Sequence, residues 1–318
     1  MVVMLEKRVK INIFKFKTIR KMNNIKTLII VIIFSFLAFG CKDKEEDLNQ
    51  GTFSKVVDIS LHENLNNELG IYSGRYIGHN SNVNIAYTKT TSIDNSSKGS
   101  GRITVWSLEG LESGNVTNVN GGDYYVNDIH FKHNGLGYVS EQLLGSNNLL
   151  DFNKINGFIE DEVIGKKIKI KNELNNEIQF DEEFYVPEQI HLSGSIENLI
   201  EGTAYRRMDK NNFTFGFNRD EKNEHGILIT LKYRGESYGM TMDDIQNLSG
   251  NTEVSRAVHL KEESTGDITI PKELFTGIPS NAIVTMHITR GSGKLFEKEG
   301  KQSFIRASTS EQIRVVLD

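Results

Sequence analysis

The chain has 318 residues, with 37 Lys/Arg, 42 Asp/Glu, three prolines and one cysteine. Residues 1–40 hold eight of the basic residues and one of the acids, so the remainder carries 29 basic against 41 acidic residues, a net of −12. That sign repels nucleic-acid phosphates and anionic lipid head groups, which excludes charge-driven binding to either. A single cysteine also excludes an intrachain disulfide framework, so the fold rests on its apolar core.

Residues 1–26 are basic and rich in Ile, Phe and Lys. They precede an apolar run of 14 residues, Thr27 to Gly40, which is followed by Cys41 and a charged stretch, Lys42 to Asp47. A bilayer-spanning helix needs about 20 apolar residues. A shorter run that ends in small residues matches the layout of an export signal, with its basic, apolar and cleavage regions. The tail of the run, Leu37-Ala38-Phe39-Gly40-Cys41, resembles the lipobox of bacterial lipoproteins. The resemblance implies cleavage before Cys41 and lipid attachment to its thiol. Phe39 is bulkier than the small residue usual at that position, a relaxation common in Bacteroidota. Both Met1 and Met22 are possible starts. The acidic run Lys44-Glu45-Glu46-Asp47 resembles the surface-export signal of Bacteroidota lipoproteins and implies an outer-membrane, cell-surface location. Residues 41–52 otherwise read as a flexible tether without apolar periodicity.

From residue 53 on, short apolar-alternating runs separated by turn clusters predict an all-β chain. In the first half these are Phe53–Ser60, Val83–Thr88, Arg102–Leu108, Tyr124–Lys132, Leu136–Glu141 and Val163–Lys171. The stretches from Asp94 to Gly101, Asn120 to Asp123 and Asn172 to Asn176 read as turns. In the second half the strands are Gln189–Ser193, Phe213–Asn218, Ile227–Tyr233, Val254–Leu260, Asp267–Ile270, Ala282–Arg290, Gln302–Ser308 and Gln312–Leu317. Only Met242–Leu248 and Pro271–Gly277 read as short helical turns. All three prolines lie at or after Pro187. A boundary is therefore expected there, with an irregular β-domain over 53–183 and a β-sandwich over 184–318 that folds alone. The second half, with Tyr185-Val-Pro-Glu188, the Phe215-Gly-Phe-Asn218 strand and Thr289-Arg290-Gly291, resembles the immunoglobulin-like C-terminal modules of uncharacterised Bacteroidota lipoproteins. That resemblance implies a fold and no activity.

Sites are sparse. No nucleophile elbow, P-loop or dinucleotide fingerprint is present, and no catalytic residue, metal or cofactor is expected. His130 and His133, three apart on a strand, point to opposite faces. The segment from Asp220 to Gly226 has oxygen ligands that calcium favours, but lacks the EF-hand ladder and reads as a polar hairpin. Asp181-Glu182-Glu183 reads as a solvated acidic face. Trp106, Tyr124, Tyr125 and Tyr138 are the candidate ligand face, because aromatic side chains carry much of the energy of recognition. These features point to a non-catalytic surface lipoprotein that binds a protein or glycan and not nucleic acid. The alternatives are a hydrolase of extracellular polymer and a structural subunit of an envelope complex. A cleft with converging carboxylates would favour the hydrolase, and a long exposed edge strand or apolar patch the structural subunit.

Overall fold

The computed structural model describes residues 53–59, 80–91, 97–109, 117–147, 149–194, 200–201, 203–248, 253–263 and 267–318. Cys41, Lys44, Glu45, Glu46 and Asp47 lie outside the described residues. Residues 49–318 form one compact unit, and it is all-β with two short α-helices among the described residues.

Seventeen strands are described. In the first half they are β1 (Val57–Asp58), β2 (Ser81–Thr91), β3 (Ser97–Glu109), β4 (Thr117–Asn118), β5 (Asp123–Val126), β6 (Ile129–His133), β7 (Tyr138–Val139), β8 (Lys167–Leu174) and β9 (Glu177–Tyr185). In the second half they are β10 (Leu192–Ser193), β11 (Tyr205–Met208), β12 (Thr214–Phe217), β13 (Ile227–Ser237), β14 (Val254–Leu260), β15 (Ile268–Thr269), β16 (Ala282–Lys298) and β17 (Lys301–Leu317). The helices are α1 (Phe152–Glu162) and α2 (Met242–Gln246). The large sheet runs β1-β14-β13-β16-β17-β2-β3-β4. Two smaller sheets, β10-β12-β15 and β7-β6-β5-β8-β9, complete the framework.

The long hairpin β16–β17 organises the unit. Its two-residue turn, Glu299-Gly300, has both φ angles positive, as a primed hairpin turn requires. Register with β16 is unbroken along nearly all of β17. The other edge of β17 carries two parallel partners in succession, β2 along Ser303–Gln312 and β11 along Arg314–Leu317. The inward residues of β17 share one parity and hence one face: Ile305 and Ala307, then Ile313, Val315 and Leu317. The first two belong to a core built with β2, β3, the five-stranded sheet and α1. The last three belong to a second core, in which Phe213, Phe215 and Phe217 pack sandwich-like against β13, β14 and β16. The expected inward sets Ile227/Ile229/Leu231 and Val284/Met286/Ile288 are buried there.

Three expectations need correction. The boundary at Pro187 does not break the sheet: β1 pairs with β14 and β2 with β17, across the expected division. Nor is it an exposed linker, since Val186, Pro187, Gln189 and Ile190 are all buried. The chain there is fastened to the hairpin, with Gln189 Nε2 donating to the Ser310 carbonyl at 3.0 Å and Thr309 Oγ1 to the Glu188 carbonyl at 2.8 Å. Second, residues 97–101 are strand, not turn. Gly99 and Gly101 let α1 sit directly on β3, where a Cβ on Gly101 would lie 2.6 Å from Ile159 Cδ1. Asn156 of α1 accepts from Gly101 N at 2.6 Å and donates to the Gly99 carbonyl at 3.2 Å. Third, α1 itself is unexpected from the sequence. Asp151 caps it, accepting from Asn153 N and Lys154 N, and Ile155 and Ile159 form its buried stripe.

The segment from Asp220 to Gly226 is a structural hub. The Asp220 carboxylate accepts from Tyr185 OH and from the backbone N–H groups of Glu188 and Lys222, all within 3.0 Å. Glu263 accepts from Asp220 N and Asn223 Nδ2, and receives Arg290 bidentately, Nε at 2.8 Å and Nη2 at 2.6 Å. The Arg290 and Glu263 side chains are 0% and 2% exposed. Arg290 also donates to the carbonyls of Asn218 and Glu188. The carboxylates of Asp220 and Glu263 are thus satisfied by the protein's own donors. Among the described residues, no group of three or more His, Cys, Asp or Glu side chains is placed to hold a metal ion.

A candidate binding cleft

A cleft of about 640 Å³ opens beside the tip of the β16–β17 hairpin, between it, the end of β3 and the strands β5, β8 and β9. The hairpin extends past the second core because β2 supports it as a neighbour of β17. The opposite wall is fixed by Asn172, buried on β8, whose amide donates to the Gly121 and Asp123 carbonyls at 3.1 and 3.2 Å. The loop passes so close to β8 that a Cβ on Gly122, at φ +99°, would lie 2.2 Å from the Glu173 carbonyl oxygen. Only glycine fits there.

The floor is a group of hydroxyls. Ser81 Oγ donates to Ser303 Oγ at 2.6 Å, and Ser107 Oγ bonds the Tyr124 hydroxyl at 2.9 Å. Behind this floor, Tyr138 OH accepts from Gly121 N at 2.6 Å. Burial pushes the Tyr124 hydroxyl up to about 12 and the Tyr138 hydroxyl up as well, so both stay neutral donor–acceptors at physiological pH. Behind the floor Tyr124 meets Tyr138 edge-on at 5.0 Å, and Phe180 stacks on Phe296 at 5.2 Å. Lys294 Nζ lies 5.2 Å from the centre of the Phe296 ring and bonds Glu182 at 2.7 Å. The rim carries the exposed carboxylates Glu109, Glu297 and Glu299 and the exposed lysines Lys298 and Lys301.

The four aromatic residues proposed from sequence do not make one face. Tyr124 lines the cleft and Tyr138 supports it from behind. Tyr125 points to the other side of β5, stacked on His130 at 4.7 Å with Lys171 Nζ 4.6 Å from its ring centre. Trp106 is half-buried and alternates with the buried Val105 and Ser107, so it faces away from the cleft floor. Ser81, Ser303, Asn172, Phe180 and Phe296 were not singled out from sequence. Phe180 sits beside the acidic run Asp181-Glu182-Glu183, which read as a solvated face. Asp181 and Glu183 are exposed on one face of β9, while Glu182 shares the other face with the buried Phe180 and Phe184 and lines the cleft.

Chemically the cleft can bind and orient. Among its described lining residues, the hydroxyls shown hydrogen-bonded pair with one another, Ser81 with Ser303 and Ser107 with Tyr124. Its carboxylates are exposed, apart from Glu182, which Lys294 holds. A carboxyl acting as general acid near neutral pH needs burial or a close like charge to keep its proton. No family model, no curated protein and no solved structure matches this chain.

Proposed function

We propose that the chain is an outer-membrane-anchored, surface-exposed lipoprotein with a non-catalytic binding role. The observation that carries this reading is Cys41, the only thiol of the chain, placed at the end of an apolar run too short to span a bilayer. The acidic run after it supports display on the outer face. The cleft supports binding, since it combines polar groups with an apolar wall at a volume typical of ligand sites. The rim carboxylates are the one feature that favours a polymer hydrolase. Their exposure, and the pairing of Glu182 with Lys294, weigh against that reading.

Protease treatment of whole cells tests the location. The parent chain is expected to be digested on intact cells. Replacing Lys44, Glu45, Glu46 and Asp47 together with alanine is expected to keep the protein in the membrane fraction but shield it from protease. Unchanged digestion of that variant would reduce the acidic run to a spacer, and a protected parent would overturn surface display.

A further inference from the structure

We infer that the cleft beside the β16–β17 hairpin binds an uncharged carbohydrate chain. This rests on the non-catalytic binding reading above and names the ligand class for that site. Three observations carry it.

The first is the balance of donors and acceptors. Part of the donor capacity of the interior is spent inside the protein: Ser81 on Ser303, one hydroxyl of the Ser107–Tyr124 pair on the other, and the Asn172 amide on two carbonyls. What remains toward the cleft is a mixture: floor hydroxyls that can both donate and accept, the carboxylates of Glu109 and Glu297, and the ammonium groups of Lys298 and Lys301 on the rim. Ionised carboxylates accept only. A site that mixes donors and acceptors in this way is satisfied by a ligand whose hydroxyls both donate and accept.

The second is charge. Carboxylates dominate the rim, and the chain beyond residue 40 carries a net of −12, so an anionic ligand is repelled. Lys298 and Lys301 stand among the same carboxylates and break up the continuous negative field that a basic peptide would need. A neutral ligand avoids both conflicts.

The third is the apolar surface mixed into the walls. Leu108, Leu174 and Leu295 line the cleft, and Leu295 is 46% exposed at its mouth. A sugar ring presents a C–H face and a hydroxyl edge together, and this lining offers a counterpart to each. A purely polar ligand would leave the leucines without a role, and a purely apolar one would leave the carboxylates dry and unpaired.

The test is titration calorimetry on the lipid-free chain lacking only residues 1–41. Its ligands are soluble oligosaccharides of neutral glucan, mannan, xylan and N-acetylglucosamine, with polygalacturonate and poly-lysine as charged controls. At least one neutral glycan is expected to bind, with little dependence on salt. The double variant Glu109→Ala/Glu297→Ala is expected to weaken that binding about tenfold or more, through the loss of charged hydrogen-bond acceptors. Both residues are exposed, and an unchanged circular dichroism spectrum confirms that the variant is folded. Binding confined to poly-lysine or to polygalacturonate overturns the assignment, as does the absence of binding to every neutral glycan or binding that the double variant leaves intact. Cleavage of the bound glycan, seen by mass spectrometry, would uphold the ligand class and overturn the non-catalytic reading. Whole-cell digestion reads surface display independently of all these results.

Discussion

Replacing Arg290 with methionine is expected to lower the unfolding free energy by about 3–5 kcal/mol, the cost typical of breaking a buried ion pair by removing one partner. Arg290 lies between the two cores and reaches three separated parts of the chain: Glu263, the Asn218 carbonyl and the Glu188 carbonyl. Its loss leaves the Glu263 carboxylate 2% exposed without a countercharge and two carbonyls without their donor. Asn223 and the Asp220 N–H still donate to that carboxylate but carry no charge. Removing both charges in Arg290→Met/Glu263→Leu is expected to cost less than Arg290→Met alone, because no isolated charge then remains inside. Urea unfolding of the two variants and the parent measures this. A loss below about 1 kcal/mol for Arg290→Met would mean that water or rearrangement replaces the hub.

The fragment 184–318 is expected not to fold cooperatively, in contrast to what the sequence alone suggests. Without residues 53–183, β17 loses β2 along ten consecutive paired residues, Ser303–Gln312, and that edge is laid open. Ile305 and Ala307, fully buried in the whole unit, are uncovered with it. An unpaired edge of this length carrying apolar side chains is a template for aggregation. The fragment also loses β1 from the edge of β14. Size-exclusion chromatography and circular dichroism on 184–318 and on 49–318 separate the cases. A monomeric fragment with a sharp thermal transition would show that the second core stands alone.

Much of the second core is legible in the sequence because strands such as β13 alternate buried and half-buried positions. Phe213, Phe215 and Phe217, and likewise Ile227, Ile229 and Leu231, keep strict period two, and the structure buries every one. The hairpin is less legible. The expected strand ends at Arg290, yet β16 continues through Gly291 and Gly293 to Lys298. Thr309, Ser310 and Glu311 divide β17 into two expected strands, yet pairing on both edges carries it through. These polar residues mark the crossing of the segment around Glu188, a tertiary event with no local signature. Helix α1 is obscured by Asn153, Asn156 and Gly157, which are weak helix formers. Asp151, with Ile155 and Ile159, was the available signal. The cleft is not legible because it is assembled from seven strands, and its residues are spread from Asn80 to Ser303. One aromatic of the expected face, Tyr124, lines it. Trp106 and Tyr125 fall elsewhere because strand alternation sends neighbours to opposite sides, and a local sequence does not fix the register between strands.

Lipid anchoring at Cys41 is tested most directly by intact-mass spectrometry of the protein purified from its native membrane. The expected mass is that of a chain beginning at Cys41 and carrying a diacylglyceryl or triacyl modification, and the Cys41→Ala variant is expected to lose both the modification and its membrane partitioning. An unmodified Cys41 in a chain that retains the residues before it, or a Cys41→Ala variant that partitions like the parent, would contradict the lipoprotein reading.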